Sequence, residues 1–186
     1  MHILRKEQYT RMPWKNGGGE TAEIAVYPAG ASVEDFGWRI SMATVASDGP
    51  FSLFPGIDRT LSVLEGEGMV LDIEGQEPVT LTPASAPLSF PADVPTSAQL
   101  LGGPITDLNV MTRRANVVHR VERHHVPGVL ELQVADGLLF SCARHLKVAS
   151  DAMTAELEFH DALELHGPEK SILIAGQGTL YLIRLE

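Results

Sequence analysis

Long helical periodicity is hard to find in this chain. Short apolar or alternating runs recur instead, each cut by Gly, Pro, Asp or Asn. A period of two sends successive side chains to opposite faces of an extended strand, so this pattern constrains the fold more than any other feature. "TAEIAVYP", "WRISMATV", "RTLSVL", "MVLDI", "VTLT", "PLSF" and "TDLNVMT" read as strands. "LLFSCA", "AELEF", "ALEL", "SILIA" and "TLYLIRL" read the same way in the C-terminal third. The 12 prolines and 17 glycines fall mostly between these runs. Many short strands at this spacing predict an all-β sandwich or barrel. Only "NVVHRVERHHV", from Asn116 to Val126, fits a strand and a short helix equally well.

Composition narrows the function. At 186 residues and 44% hydrophobic, the chain can bury a real core as one domain or two very compact ones. Its net charge of −10 comes with no compensating block of Lys and Arg. Non-specific binding to nucleic acid or to an anionic membrane needs a basic surface, so neither partner is expected. Cys142 is the single cysteine, which excludes an intrachain disulfide and a Cys-rich zinc site and fits a reducing compartment. The N-terminal residues lack a signal pattern, and no apolar run approaches about 18 residues. A soluble, cytoplasmic protein is expected.

Two local features stand out. "GIDRTLSVLEGEGMVLDI" is echoed by "GPEKSILIAGQGTLYLI". With one gap, Gly66 and Gly68 match Gly176 and Gly178, and Arg59 matches Lys170. Each copy reads as strand, Gly-x-Gly turn, strand: either two unrelated hairpins with the same turn chemistry or a duplicated barrel unit. The second copy ends at Glu186, so a second barrel is incomplete or borrows strands. The other feature is "WKNGGGE", residues 14–20. Lys15 precedes the glycines, so the run is not a Walker A loop. Gly17-x-Gly19-x-x-Ala22 meets a loose dinucleotide pattern, but that pattern needs a helix after it. Here a strand-like run follows, and the nucleotide reading is rejected. What remains is a flexible turn, or glycine backbone left open to a ligand or another strand. Asn16 would add a donor and acceptor there, and Lys15 a charge.

"MPWKNGGGETAEIAVYP", "FGWRISMATVASDGPFSLFPGIDRTLSVLEGEGMVL" and "GGPITDLNVMTRR" together resemble the HutD/Ves family of the cupin superfamily, strongly over about residues 10–114. The resemblance implies a cupin-like double-stranded β-helix barrel in a compact bicupin. Residues 1–115 would form the main barrel, and residues 116–186 a second, smaller barrel packed on the first. It also implies a link to histidine utilisation, with an anionic pathway intermediate bound and no established catalysis. Cupins generally carry metal on His and Glu ligands. Both places where those motifs fall here, "FPGIDRTLSVLEGEG" and "FPADVPTSAQL", lack histidine. No metal, no cofactor and no catalytic residue is therefore assigned.

Arg59 follows the "PGID" turn near the mouth of the expected barrel. Its planar fork suits a carboxylate, but an internal salt bridge to Asp58, Asp72 or Asp107 would also explain it. Arg39 fits either the pocket or a sheet-spanning salt bridge. Asn109 and Met111 share one face of their strand, and Asn109 reads equally as a ligand contact or a satisfied core amide. Trp14 belongs to the glycine-run wall. Phe51, Phe54 and Trp38 are apolar walls or plain core. The ligand-binding candidates are thus Arg59, Asn16, Lys15, Asn109, Trp14 and Met111, with Arg59 facing the glycine run. The favoured function is a non-catalytic binder of a formylglutamate- or urocanate-like anion that moderates the histidine pathway. A metal-independent isomerase or hydrolase acting on a small carboxylate is the alternative, and an interaction barrel with a vestigial pocket the third reading. Exposed sheet edges favour a homodimer.

Overall fold

The computed structural model describes every residue except Asn16 and Ala152. Among the described residues, helix is confined to one 3-10 turn, Lys6–Gln8. No helix is long and apolar enough to cross a membrane. After a short first strand, β1 (His2–Leu4), the chain builds a compact unit from Thr10 to Val118. Its strands are β2 (Thr10–Pro13), β3 (Gly19–Tyr27), β4 (Trp38–Val45), β5 (Gly49–Pro50), β6 (Ile57–Glu65), β7 (Met69–Ile73), β8 (Val79–Leu81), β9 (Leu88–Pro91), β10 (Thr96–Leu100) and β11 (Ile105–Arg113). Six of them form an antiparallel sheet in the order β2-β3-β4-β11-β6-β9. The other four form a second sheet, β5-β10-β7-β8. Ala43, Leu61, Val63 and Phe90 of the first sheet meet Met69, Leu71, Ile73 and Ala98 of the second in one apolar core.

The second unit combines Met1–Tyr9 with His119–Glu186. It adds β12 (His119–Val134), β13 (Gly137–Ser141), β14 (His145–Ala149), β15 (Thr154–Glu158), β16 (Ala162–Leu165) and β17 (Lys170–Leu185). The seven strands form one sheet, β1-β16-β13-β17-β14-β15, with β12 paired to β17 along its whole length. The first nine residues belong here, and not with the strands that follow them, because β1 pairs with β16. Arg5 Nη1 also meets Asp161 Oδ2 at 2.5 Å, and the Tyr9 hydroxyl donates to the His160 carbonyl at 2.8 Å. The interior is apolar, built from residues such as Val134, Leu139, Leu146, Leu163, Ile174 and Leu182.

The ambiguous stretch before Val126 resolves as strand: from His119 onward it is β12. The internal echo has a structural counterpart, with one difference. In the first copy the Gly66/Gly68 turn separates β6, in one sheet, from β7, in the other. In the second copy no turn interrupts the strand. β17 runs through Gly176 and Gly178 and changes neighbour there, from β14 over Leu173–Gly176 to β13 over Leu180–Arg184. Glycine is required at both crossings. A Cβ on Gly68 would lie 2.3 Å from the Leu81 carbonyl oxygen, and one on Gly178 would lie 2.6 Å from the Ala143 Cβ. Their φ values are +119° and +140°.

Gly68→Ala and Gly178→Ala should each therefore cost about 1–3 kcal/mol. That is roughly 2–12 °C in melting temperature for a chain of this size. Calorimetry showing no change for either variant would mean that the backbone at that crossing is free to relax.

Candidate functional site

The six-stranded sheet organises the site. Directly opposed residues of antiparallel strands put their side chains on the same face, and the register lays down successive levels on the core-facing side. The first holds Val26, Arg39, Met111, Arg59 and Phe90. The second holds Glu23, Ser41, Asn109, Leu61 and Leu88, and the third Thr21, Ala43, Asp107 and Val63. A bulge between Glu23 and Ala25 keeps Glu23 on this face. The "PGID" turn that leads into β6 is tied from outside. Arg114 meets Asp58 at 2.7 Å and Asp93 at 3.0 Å, and Asp93 also accepts from the Gly56 backbone N–H.

Arg59 is 6% exposed. Its guanidinium carbon lies 5.1 Å from the Phe51 ring centroid, 5.4 Å from that of Phe54 and 6.0 Å from that of Phe90. Nη2 points at the Met111 sulfur at 3.7 Å, a weak acceptor. The buried Nε has no hydrogen-bond partner. None of the salt bridges expected from the sequence forms: Asp58 is engaged by Arg114, Asp72 is exposed, and Asp107 acts on Arg59 only at longer range. Burial lowers the Arg59 pKa to about 10, with Asp107 opposing and Arg39 reinforcing the shift. The group stays charged at neutral pH.

Asp107 is 1% exposed. Its Oδ1 accepts from Asn109 Nδ2 at 2.5 Å, and the Ala43 backbone N–H also donates to the carboxylate. Burial pushes its pKa up to about 7, against the pull of Arg59 and these two hydrogen bonds. Arg39, in contrast, is paired. Its Nε meets Glu23 Oε2 at 2.7 Å, the sheet-spanning bridge that was one of its two readings. These three levels therefore carry two guanidiniums and two carboxylates, of which one pair is joined and the other two groups stay apart. Arg113, one level beyond Met111 on the same face, donates instead to the Phe36 and Glu34 carbonyls.

The structure brings together some of the sequence candidates. Met111 touches Arg59, and Asn109 sits one level away holding Asp107. Phe51 and Phe54 ring the guanidinium. Trp38 does not join them: it projects from the other face and stacks on Tyr27 at 6.0 Å. Trp14 packs against the barrel core, with Nε1 donating to Thr21 Oγ1 at 2.8 Å. That level is four residues from Arg59's, about 13 Å along the strands. Lys15 is exposed at the turn, and Asn16 lies outside the described residues. The glycine run closes a hairpin through Trp14 N–H to Gly19 O and Gly17 N–H to Trp14 O. A Cβ at Gly19 would fall 2.2 Å from the Thr44 carbonyl oxygen and 3.0 Å from the Trp14 ring. Close backbone packing at the Trp14 end of the face thus accounts for Gly19, which does not stand opposite Arg59. From the sequence Asp107 stands out only as a salt-bridge partner for Arg59, although Asp107, Asn109 and Met111 alternate onto one face of β11. Glu23 was hidden by the bulge.

The cupin architecture implies a metal, and these residues do not fit one. Among the described residues no three His, Cys, Asp or Glu side chains gather as a ligand set. The donors on this face are two arginines, a Glu committed to Arg39 and an Asp held by Asn109.

Two packed antiparallel sheets with a charged, aromatic-rimmed interior define a cupin-like β-barrel protein, one whose interior carries arginine where a metal centre would need histidine. A cupin 2 conserved barrel domain protein from Leptotrichia buccalis superposes with a TM-score of 0.57 at 12% identity, covering 89% of this chain and 88% of its own, and supports the fold alone. The HutD family model matches residues 6–182, and the chain belongs to that family. A Pseudomonas putida protein described as an uncharacterized 21.2 kDa protein in the hutC 3' region is 35% identical over all of this chain and 97% of its own length. HutD from Pseudomonas fluorescens SBW25, in a structure titled as a formate condition, is 35% identical with a TM-score of 0.84. The match covers 100% of this chain and 98% of that one. A conserved protein of unknown function from Pseudomonas aeruginosa PAO1 superposes with a TM-score of 0.92 at 32% identity, over 100% of this chain and 98% of its own. The family and the hut-region relative link the chain to histidine utilisation.

Asp107 also gives stability a pH dependence. Its folded pKa of about 7 lies above the ordinary carboxylate value. Its contribution is therefore complete below about pH 4 and lost as pH rises through about 7. Asp107→Asn should remove that slope, so that the variant gains in melting temperature relative to the parent between about pH 4 and 8. Parallel melting curves across that range would show that Asp107 is not protonated in the folded chain.

Proposed function

We propose that this chain is a non-catalytic, cytoplasmic small-molecule-binding protein of histidine utilisation. It holds an anionic intermediate, formylglutamate- or urocanate-like, in the Thr10–Val118 barrel and moderates the pathway. The observation that carries the reading is Arg59, a buried guanidinium under three phenylalanine rings with no ion pair and an unpartnered Nε. Burying a charge without a partner costs several kcal/mol. A ligand carboxylate would supply the missing acceptors, and the planar fork is suited to one. Asn109 and Met111 share its face as further contacts. Trp14 closes the far level of the same core, and Lys15 adds charge at the exposed turn beside it. Asn16, which lies outside the described residues, is kept as a candidate contact on its sequence position alone. The aromatic rim gives the apolar walls that such pockets use.

One observation favours the enzymatic alternative. A buried carboxylate with a pKa near neutrality is what a general acid or base requires, and Asp107 meets that description. Among the described residues no histidine, cysteine or second carboxylate stands at its level on this face, and the binding reading is preferred. For assembly, we place a homodimer contact on β12, which pairs with β17 alone among the described strands and leaves a long open edge. Light scattering that finds a monomer at micromolar concentration would refute the dimer.

Calorimetric titration with formylglutamate and urocanate tests the ligand reading. Arg59→Ala should cost about 1.5–3 kcal/mol, a roughly ten- to hundredfold loss of affinity. Lys15→Ala, at an exposed turn, should cost less than about 1 kcal/mol. Full affinity in Arg59→Ala would sink the reading. Conversion of either compound during the titration would move the chain to the enzymatic alternative.

A further inference from the structure

Four ionisable side chains project from the six-stranded sheet into the buried barrel core: Arg59 from β6, Arg39 from β4, Glu23 from β3 and Asp107 from β11. A fifth, Arg113, shares the face one level beyond Met111, but its guanidinium turns away to the Phe36 and Glu34 backbone carbonyls at the part-exposed end of β11. β9 faces them with Leu88 and Phe90, and the four-stranded sheet mainly with apolar side chains such as Met69, Leu71, Ile73 and Ala98. Glu23 neutralises Arg39 by direct contact. Arg59 and Asp107, both almost fully buried, make no contact with each other and find no other charged partner among the described residues. Asp107 is held by neutral donors only, Asn109 Nδ2 and the Ala43 N–H.

This arrangement constrains what can enter. With Asp107 ionised, the four groups are electrically balanced, and a carboxylate docking on Arg59 would leave one uncompensated negative charge in the core. With Asp107 protonated, they carry one positive charge, and one carboxylate cancels it. A buried net charge is far more costly than a neutral set. We propose that the pocket takes up a single carboxylate group together with one proton, the carboxylate resting on Arg59 and the proton on Asp107. The inference rests on the anion-binding reading above and adds two specifications. One carboxylate is buried, so a second one on the same ligand stays outside the ring of phenylalanines, and binding consumes a proton from solvent.

The direction of the electrostatics agrees. Arg59 is the charge that holds the Asp107 pKa down against burial. An anion seated on Arg59 cancels that pull, and the carboxyl then retains its proton to higher pH. Affinity therefore falls with rising pH once free Asp107 is ionised, by close to tenfold per pH unit.

The test is calorimetry of formylglutamate binding to the full chain at about pH 8, in buffers of different ionisation enthalpy. The ligand's own carboxyls are fully ionised there, so any proton taken up goes to the protein. The expected result is uptake of about one proton per ligand, with affinity falling close to tenfold between about pH 7.5 and 8.5. Asp107→Asn mimics the protonated form. It should bind with almost no uptake, with an affinity that no longer follows pH, and more tightly than the parent above about pH 8. Should that variant fail to fold, infrared difference spectra of the parent on adding formylglutamate replace it, and a new protonated-carboxyl band is expected. Binding without proton uptake, uptake that persists in Asp107→Asn, or no such band would each overturn the coupling and leave the ligand reading standing. No binding of formylglutamate at any pH would overturn both.

Discussion

The guanidinium of Arg59 sits in the barrel core under Phe51, Phe54 and Phe90, and no carboxylate touches it. Withdrawing such a charge from water costs several kcal/mol. The rings return part of this, since a cation over an aromatic face gains about 0.5–2 kcal/mol. Asp107 returns a further part at longer range. Much of the local architecture holds that group where it is. Arg114 fixes the turn before β6, β11 presents Met111 opposite Arg59, and the Arg39–Glu23 bridge withdraws the other cation from competition. Under the ligand reading proposed above, stability and function pull in opposite directions at this residue.

The two units are both built of antiparallel β-strands but differ in sheet arrangement and interior. In the C-terminal unit the packed core is built of apolar side chains, Leu139, Leu146, Leu163, Ile174 and Leu182 among them. The buried ionisable groups His160 and Asp161 sit beside the N-terminal segment, where Asp161 pairs with Arg5. In the Thr10–Val118 unit the apolar core is continuous at one end, and at the other it gives way to charge, amide and aromatic rings. Both cross between strand neighbours at a Gly-x-Gly, where a side chain would strike a carbonyl oxygen or a neighbouring Cβ. Shared backbone chemistry therefore accounts for the internal echo, while the buried Arg59 and Asp107, which lack a direct ion pair, belong to the Thr10–Val118 unit.

Much of this was legible in the sequence, and what was not has identifiable causes. "WRISMATV" and "MVLDI" coincide with β4 and β7 residue for residue: both alternate apolar residues in sequence, although β4 is buried on both faces and β7 on only one. β10, "TSAQL", buries Thr96 and Ala98, residues too small and polar to give that contrast. β14, "HLKVA", does carry the alternation, with Leu146 and Val148 buried between exposed His145 and Lys147, and is readable from the sequence on that ground. At the site, Arg59 could be picked out because an arginine on an inward strand face is costly. Its aromatic setting could not, since Phe51 and Phe54 come from a loop and Phe90 from a strand distant in sequence. The glycine run misled on position. Its composition suggested an open wall opposite Arg59, whereas Gly19 is dictated by the Thr44 carbonyl and the Trp14 ring, contacts that no spacing rule reveals.

Whether Arg59 is kept for a ligand or for the fold is the question on which the rest depends, and one substitution separates the two. Arg59→Met replaces the buried charge with an apolar side chain of similar length. Melting temperatures of parent and variant, each with and without formylglutamate, give the answer. If the guanidinium is an unpaired charge held for an anion, the variant melts at the parent's temperature or above it without ligand, and loses the ligand-induced rise. A variant that melts well below the parent yet still gains stability from formylglutamate would contradict the account and make Arg59 a structural residue.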